Sequence, residues 1–166
     1  MRIFNLLLTV TLFALLGSFS SGAQAADGAI KVKSIAQVEV EVVGKDGKKT
    51  LRRTSVEGKA VPGTEVIYTT TFENVGKKTA SDIVIDNPVP NASEYKAGSA
   101  FGKDCEILFS ADGGKNFGHA EELKVKGADG NEHTALAKEY THIRWTYKGQ
   151  LAAGKSGEVG FRAAIK

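Results

Sequence analysis

The chain has 166 residues, of which 42% are hydrophobic and 25% charged, and it contains 19 Gly, 3 Pro and a single Cys. These numbers describe an ordinary globular domain and exclude a collagen, a coiled coil and a disulfide scaffold. The formal charge of +3 at pH 7 is too balanced for a protein that reads nucleic acid or a membrane surface.

The N-terminus has the form of an export signal. One basic residue, Arg2, precedes an apolar run at residues 6–16, and the small residues that follow end in Ala23-Gln24-Ala25, a pattern that a signal peptidase cleaves. The apolar run is shorter than the roughly 20 residues that a membrane span needs. We therefore predict a signal peptide over residues 1–25, cleavage before Ala26 and a periplasmic or secreted bacterial protein without an integral membrane span.

Apolar and polar residues alternate along the rest of the chain. Val38, Val40 and Val42 alternate with polar residues, and the Asp46-Gly47 pair that follows favours a tight hairpin whose polar return arm, residues 50–56, is an edge. Similar stretches bounded by turn residues predict strands at residues 66–72, 83–85, 94–96, 103–110, 123–125, 139–148 and 159–165. Only residues 135–139 have a helical pattern, and that segment is too short to form a helix alone. The expected fold is all-β, an immunoglobulin-like antiparallel β-sandwich.

The inward-facing positions of these strands supply the predicted core. Large apolar side chains fall on the inner faces, and each contributes roughly 1.5 to 3 kcal/mol when it is buried. They are Val66, Tyr68, Phe72, Ile83, Ile85, Ile107, Phe109, Trp145, Val159 and Phe161. A core of this size is expected to offset much of the ordering entropy of the chain without a disulfide.

The order of motifs resembles the bacterial conserved-repeat domain of unknown function, the DUF-eleven type, which is an immunoglobulin-like sandwich. The similarity begins at Val61-Pro62-Gly63-Thr64 and continues through residues 66–74, 80–90, 95–99, 110–117, 140–145 and 151–157. Asp86-Asn87-Pro88 stands where the family has threonine-aspartate-proline. The resemblance implies an exported, envelope-associated protein without established catalytic residues. We divide the chain into a signal peptide (1–25), an N-terminal strand and hairpin segment (26–59) and a sandwich domain (60–166).

Cys105 is the only cysteine, so it has no partner for an intramolecular disulfide. It shares one face of a predicted strand with Ile107 and Phe109, which favours a buried small apolar residue. The alternative is a reactive or intermolecular thiol.

Candidate metal and catalytic residues form no recognisable pattern. His119, His133 and His142 lack the spacing of a zinc site, and the turns around Asp112 and Asp129 offer too few carboxylates for calcium. Ser110, Asp112, Gly114 and Phe117 are spaced as in the Asp-box hairpin, which is a folding element. The sequence lacks the Gly-x-Ser-x-Gly nucleophile elbow that would indicate a hydrolase. The sequence therefore predicts no catalytic, metal-binding or cofactor-binding residue.

Basic residues cluster in two places. Lys48-Lys49 with Arg52-Arg53 lie in the predicted hairpin, and Lys77-Lys78 lie in a later turn. Charged edge strands commonly prevent aggregation, so solvated residues are the favoured interpretation. If the two clusters converged, they would instead contact an acidic envelope polymer.

Three hypotheses about function follow. The first is a non-enzymatic exported module with a structural or binding role toward an unknown envelope protein or glycan. The second is a metal-dependent or hydrolytic enzyme or accessory whose site is assembled from separate strands. For it, the residues to inspect are Asp82, Asp86, Asp112, His142 and Arg144. The third is an edge-strand partner or chaperone-like assembly module, for which residues 35–43 would be the unpaired edge strand.

Overall fold

The computed structural model describes the backbone of Ala23 and Gln24 and all of residues 29–56 and 61–166. The fold of these residues is all-β with antiparallel sheets, as predicted. The strands are β1 (Ala23–Gln24), β2 (Ile30–Val43), β3 (Lys49–Ser55), β4 (Glu65–Asn74), β5 (Val84–Pro88), β6 (Ser93–Tyr95), β7 (Phe101–Gly102), β8 (Cys105–Ser110), β9 (Lys124–Lys126), β10 (Glu132–Thr134), β11 (His142–Tyr147) and β12 (Ser156–Ile165).

The predicted signal peptide lies outside the described residues except at β1, whose backbone pairs with β5 at Ile85 and Val84. The predicted cleavage position before Ala26 also lies outside them. In residues 29–56 and 61–166 no helix is long and apolar enough to cross a membrane.

The strands form two main sheets. A four-stranded sheet has the order β1-β5-β11-β8, and a six-stranded sheet has the order β3-β2-β4-β12-β6 with β7 also paired to β12. Trp145 of β11 lies opposite Ile85 and Ile107, and Phe161 of β12 lies opposite Tyr68. Because residues directly opposite one another share a face, each of these sets lines one side of its sheet.

The two sheets pack face to face around one core. The rings of Trp145 and Phe161, which come from different sheets, have centroids 6.3 Å apart, and each residue is 1% exposed. Most of the predicted core is buried, whereas Tyr68, Ile107 and Phe109 are half-buried and pack against it. The buried members are Val66, Phe72, Ile83, Ile85, Trp145, Val159 and Phe161. A two-layer sandwich is therefore formed without a disulfide.

The N-terminal hairpin belongs to the sandwich and also extends it. Ile30 to Val38 of β2 pair with β4, and Gln37 to Val43 pair with β3. β3 is the edge of the sheet, as predicted. Residues 35–43 are not an unpaired edge strand, because β2 is held between β3 and β4 where the two pairings overlap.

The segment before β11 contains a 3-10 turn. The helical pattern of residues 135–139 yields only a 3-10 turn at Ala137–Glu139, since so short a segment does not support a helix. The Glu139 side chain closes this turn by accepting a hydrogen bond of 2.8 Å from the Leu136 N–H. The strand predicted at 139–148 consequently begins only at His142.

Candidate functional site

The three histidines have different neighbours. His119 Nε2 lies 3.6 Å from a Glu106 carboxylate oxygen, His133 Nε2 lies 3.0 Å from one of Glu139, and His142 hydrogen-bonds its neighbour Thr141. Within the described residues no group of three or more His, Cys, Asp or Glu side chains is placed to hold a metal ion.

Asp86 and Arg144, two of the residues considered for an assembled catalytic site, meet on the outer face of the four-stranded sheet. Arg144 donates from Nε and Nη2 to the two oxygens of Asp86, both at 2.7 Å, and its guanidinium carbon lies 3.8 Å from the centroid of the Phe117 ring. The His142 ring packs against Gly114, in the same loop as Asp112. Asp82 is not part of this group, because it lies in the turn before β5 with φ of 54° and accepts from Ser81.

The Asp112 carboxylate is saturated by its own loop. It accepts from the Lys115 and Asn116 N–H groups, both at 3.0 Å, and from Asn116 Nδ2 and Ser110 Oγ, both at 2.7 Å. These bonds, those from Asn116 above all, hold the pKa of Asp112 well below its usual range. A carboxylate so fully engaged is a poor general base, and the loop has the character of a folding element.

Cys105 is a free thiol that is half-buried rather than fully buried as predicted. It packs against the core at the end of β8, and its Sγ donates to the Lys103 carbonyl at 3.4 Å. Burial and the neighbouring Asp104 raise the pKa of the thiol. A raised pKa disfavours the nucleophilic thiolate.

The two basic clusters do not converge. β2 and β4 are antiparallel: Ile30 lies opposite Asn74 at one end of the pairing, and Val38 lies opposite Val66 at the other end. The hairpin with its basic residues continues beyond the Val66 end. Lys77-Lys78 follow the opposite end, after Asn74. An extended acidic polymer would therefore meet the two clusters at separate ends of the sheet.

The hairpin projects from the sandwich as a two-stranded arm, here called the β2–β3 arm, made of residues 39–53. One of its faces carries Val40 and Val42, each 39% exposed. Its other face carries Val43 and Leu51, which are 60% and 70% exposed. The arm thus presents apolar side chains on both faces.

Ion pairs on the outer face of the six-stranded sheet tie the base of the arm to the sandwich. Arg162 of β12 donates to both oxygens of Glu39 at 3.0 Å and to Glu65 at 2.7 Å. Arg53 adds a contact of 3.3 Å to Glu39, and Lys96 pairs with Glu65. Arg162 lowers the pKa of Glu39, and both carboxylates raise the pKa of Arg162.

Sequence reasoning did not find this network, because Glu39, Glu65 and Arg162 are far apart along the chain. The sequence signal for it was one charged residue at an outward position in each of β2, β4 and β12. Arg162, for example, lies between the inward-facing Phe161 and Ala163. Only the strand order β2-β4-β12 brings the three together.

Comparisons with protein-family models, with curated proteins and with solved structures find no match to this chain. The similarity to the conserved-repeat domain therefore stays a prediction from the sequence motifs.

Proposed function

We propose that this chain is an exported, non-enzymatic immunoglobulin-like module that binds a protein or glycan of the bacterial envelope through the β2–β3 arm. The supporting observation is the exposure of Val40, Val42, Val43 and Leu51 on a ribbon with apolar residues on both faces. An isolated two-stranded hairpin is marginally stable in water. A partner that packs against the arm would remove these side chains from water.

The attachment of the arm to the sandwich suits a binding element that is held in a fixed orientation. Glu39 and Arg162 form a bidentate pair at the base of the arm, so the base is oriented relative to the sandwich. Orientation before binding reduces the ordering cost that association incurs. The predicted signal peptide supports the proposed envelope location.

A binding role is favoured over catalysis by the state of the polar side chains. The Asp86 carboxylate is occupied by Arg144, and the Asp112 carboxylate is occupied by its loop. A general base needs an acceptor within reach of substrate, and a nucleophile needs an adjacent base. These two carboxylates are engaged in holding the fold together.

Site-specific photo-crosslinking in the intact envelope of the producing cell tests the proposal. A photoreactive amino acid replaces Leu51 or Val43 on the arm, and Val75, 52% exposed beyond the far end of β4, serves as the matched control. We expect a discrete adduct of higher mass from both arm positions and none from Val75.

Two results would contradict the proposal. One is an equal yield of adducts from Val75 and from Leu51, which would mean that the arm has no special contact. The other is an adduct of two copies of the chain as the sole product, which would indicate self-assembly instead of an envelope partner.

A further inference from the structure

A pocket lies at one side of the sandwich, between β6 and β8, and none of the residues that line it belongs to the β2–β3 arm. Its volume is about 340 Å³. The rings of Tyr95, Phe109 and Tyr140 line it and pack on one another, with centroids 4.6 Å apart for Phe109 and Tyr140 and 5.5 Å for Tyr95 and Phe109. Much of the remaining lining is small, and consists of Ala97, Gly98, Ala100, Ala120 and Ala137.

Two phenol groups give this apolar pocket a polar component. Tyr140 is only 8% exposed, and it lines the pocket. The Tyr95 hydroxyl accepts from the Ala100 N–H at 3.1 Å, which leaves its own proton to be donated. A hydrogen-bonding group on a ligand would pair with these phenol groups.

We propose that this pocket binds one small, neutral aromatic molecule that carries a single hydrogen-bonding group, of the phenol or indole class. An apolar cavity of about 150 Å³ is enough for benzene, so the pocket has room for one ring or two fused rings. Aromatic rings associate at centroid distances of about 4.5–7 Å, and the exposed sides of the lining rings offer such contacts.

The lining also argues for the neutrality of the ligand. None of the side chains that form the pocket carries a charge. A charged molecule would lose its hydration there without gaining an ion partner. The alanines and Gly98 leave the space open, because none of them has a long side chain to fill it.

A titration of the folded chain with indole, and separately with phenol, followed by backbone amide NMR, tests this site. We expect saturable shifts confined to the amides of the lining residues. Ala137→Leu and Ala97→Leu fill the pocket and are expected to weaken binding at least tenfold, whereas Ala152→Leu in an exposed turn leaves it unchanged. Tyr140→Phe keeps the ring and should weaken binding about two- to tenfold.

Circular dichroism establishes that each variant is folded. If Ala137→Leu does not fold, Ala97→Leu carries the test, since Ala97 is exposed at the rim. Absence of saturation with both probes would overturn the proposal, as would unchanged affinity in the folded filling variants. Crosslinking from Leu51 is a separate measurement, so a failure here leaves the proposal for the arm unaffected.

Discussion

The two ends of β2 share an alternation of apolar and polar residues but have different environments. Ile30 and Val32, on the inner face of the first half, pack against the core, whereas Val40 and Val42, on the same face of the second half, are each 39% exposed. The first half pairs with β4 and lies over the four-stranded sheet, and the second half pairs only with β3. Alternation defines a strand and its faces, but burial requires a second layer opposite that face.

The largest expected effect compares a substitution in the core with one in the arm. Trp145→Ala in the core should lower the free energy of unfolding by about 3–5 kcal/mol, because it removes a large buried side chain and leaves a cavity. Leu51→Ala in the arm should change it by less than about 0.5 kcal/mol, because Leu51 is 70% exposed. Urea unfolding followed by circular dichroism measures both values. Similar losses in the two variants would show that the arm is buried in solution and that the contrast is wrong.

A smaller effect distinguishes the turns of the two regions. Ser110 is fully buried and accepts from the Gly114 N–H at 3.0 Å while it donates to Asp112. Ser110→Ala should cost about 1–2 kcal/mol, since it leaves that N–H without its partner. In the arm, Asp46 accepts a 3.2 Å bond from the Lys48 N–H, and its carboxylate lies 3.6 Å from Lys48 Nζ in an exposed ion pair. Asp46→Ala should therefore cost less than about 0.5 kcal/mol. Equal urea midpoints for the two variants would contradict this prediction.

The smallest effect concerns the ion pairs that join the regions. Arg162 lowers the pKa of Glu39 below its ordinary value of 4.5 in the folded state. The stabilisation is therefore complete above pH about 4.5 and is lost as pH falls through the lowered value. In Arg162→Gln, the difference in urea midpoint between pH 6 and pH 3 should be smaller than in the wild type.

Hydrogen exchange adds a local measurement to the same variant. Amides at the base of the arm should exchange faster in Arg162→Gln, while those of β11 stay protected. Arg52→Gln, which changes an exposed arginine of the arm, is the matched control and should show neither change. If Arg162→Gln had the same acid sensitivity as the wild type, the network would have no part in holding the arm.

Much of the fold was predictable because its strands are locally encoded. The alternation in β4 and β12, the Asp46-Gly47 turn and the inward positions of Trp145 and Phe161 follow from nearest-neighbour chemistry, and the structure confirms them. Residues 135–139, whose helical pattern is too short to form a helix alone, give a 3-10 turn, and β11 begins after the predicted start of its strand at residue 139.

The candidate sites were less predictable, because they join residues that are distant in sequence. The sequence singles out Asp86 and Arg144 as site candidates, but their bidentate pairing depends on β5 and β11 being neighbours. The aromatic pocket combines Tyr95 with Phe109 and Tyr140 from separate segments. Neither arrangement has a sequence spacing that would reveal it.

The sequence by itself determined which segments become strands, which side chains face inward and that polar turns separate them, since these depend on a period of two and on turn chemistry. Only the tertiary structure decided which strands are neighbours, where one sheet ends before the other and which faces stay in water. The physical reason is that backbone preferences act over a few residues, whereas burial and ion pairing depend on surfaces brought together by the whole chain.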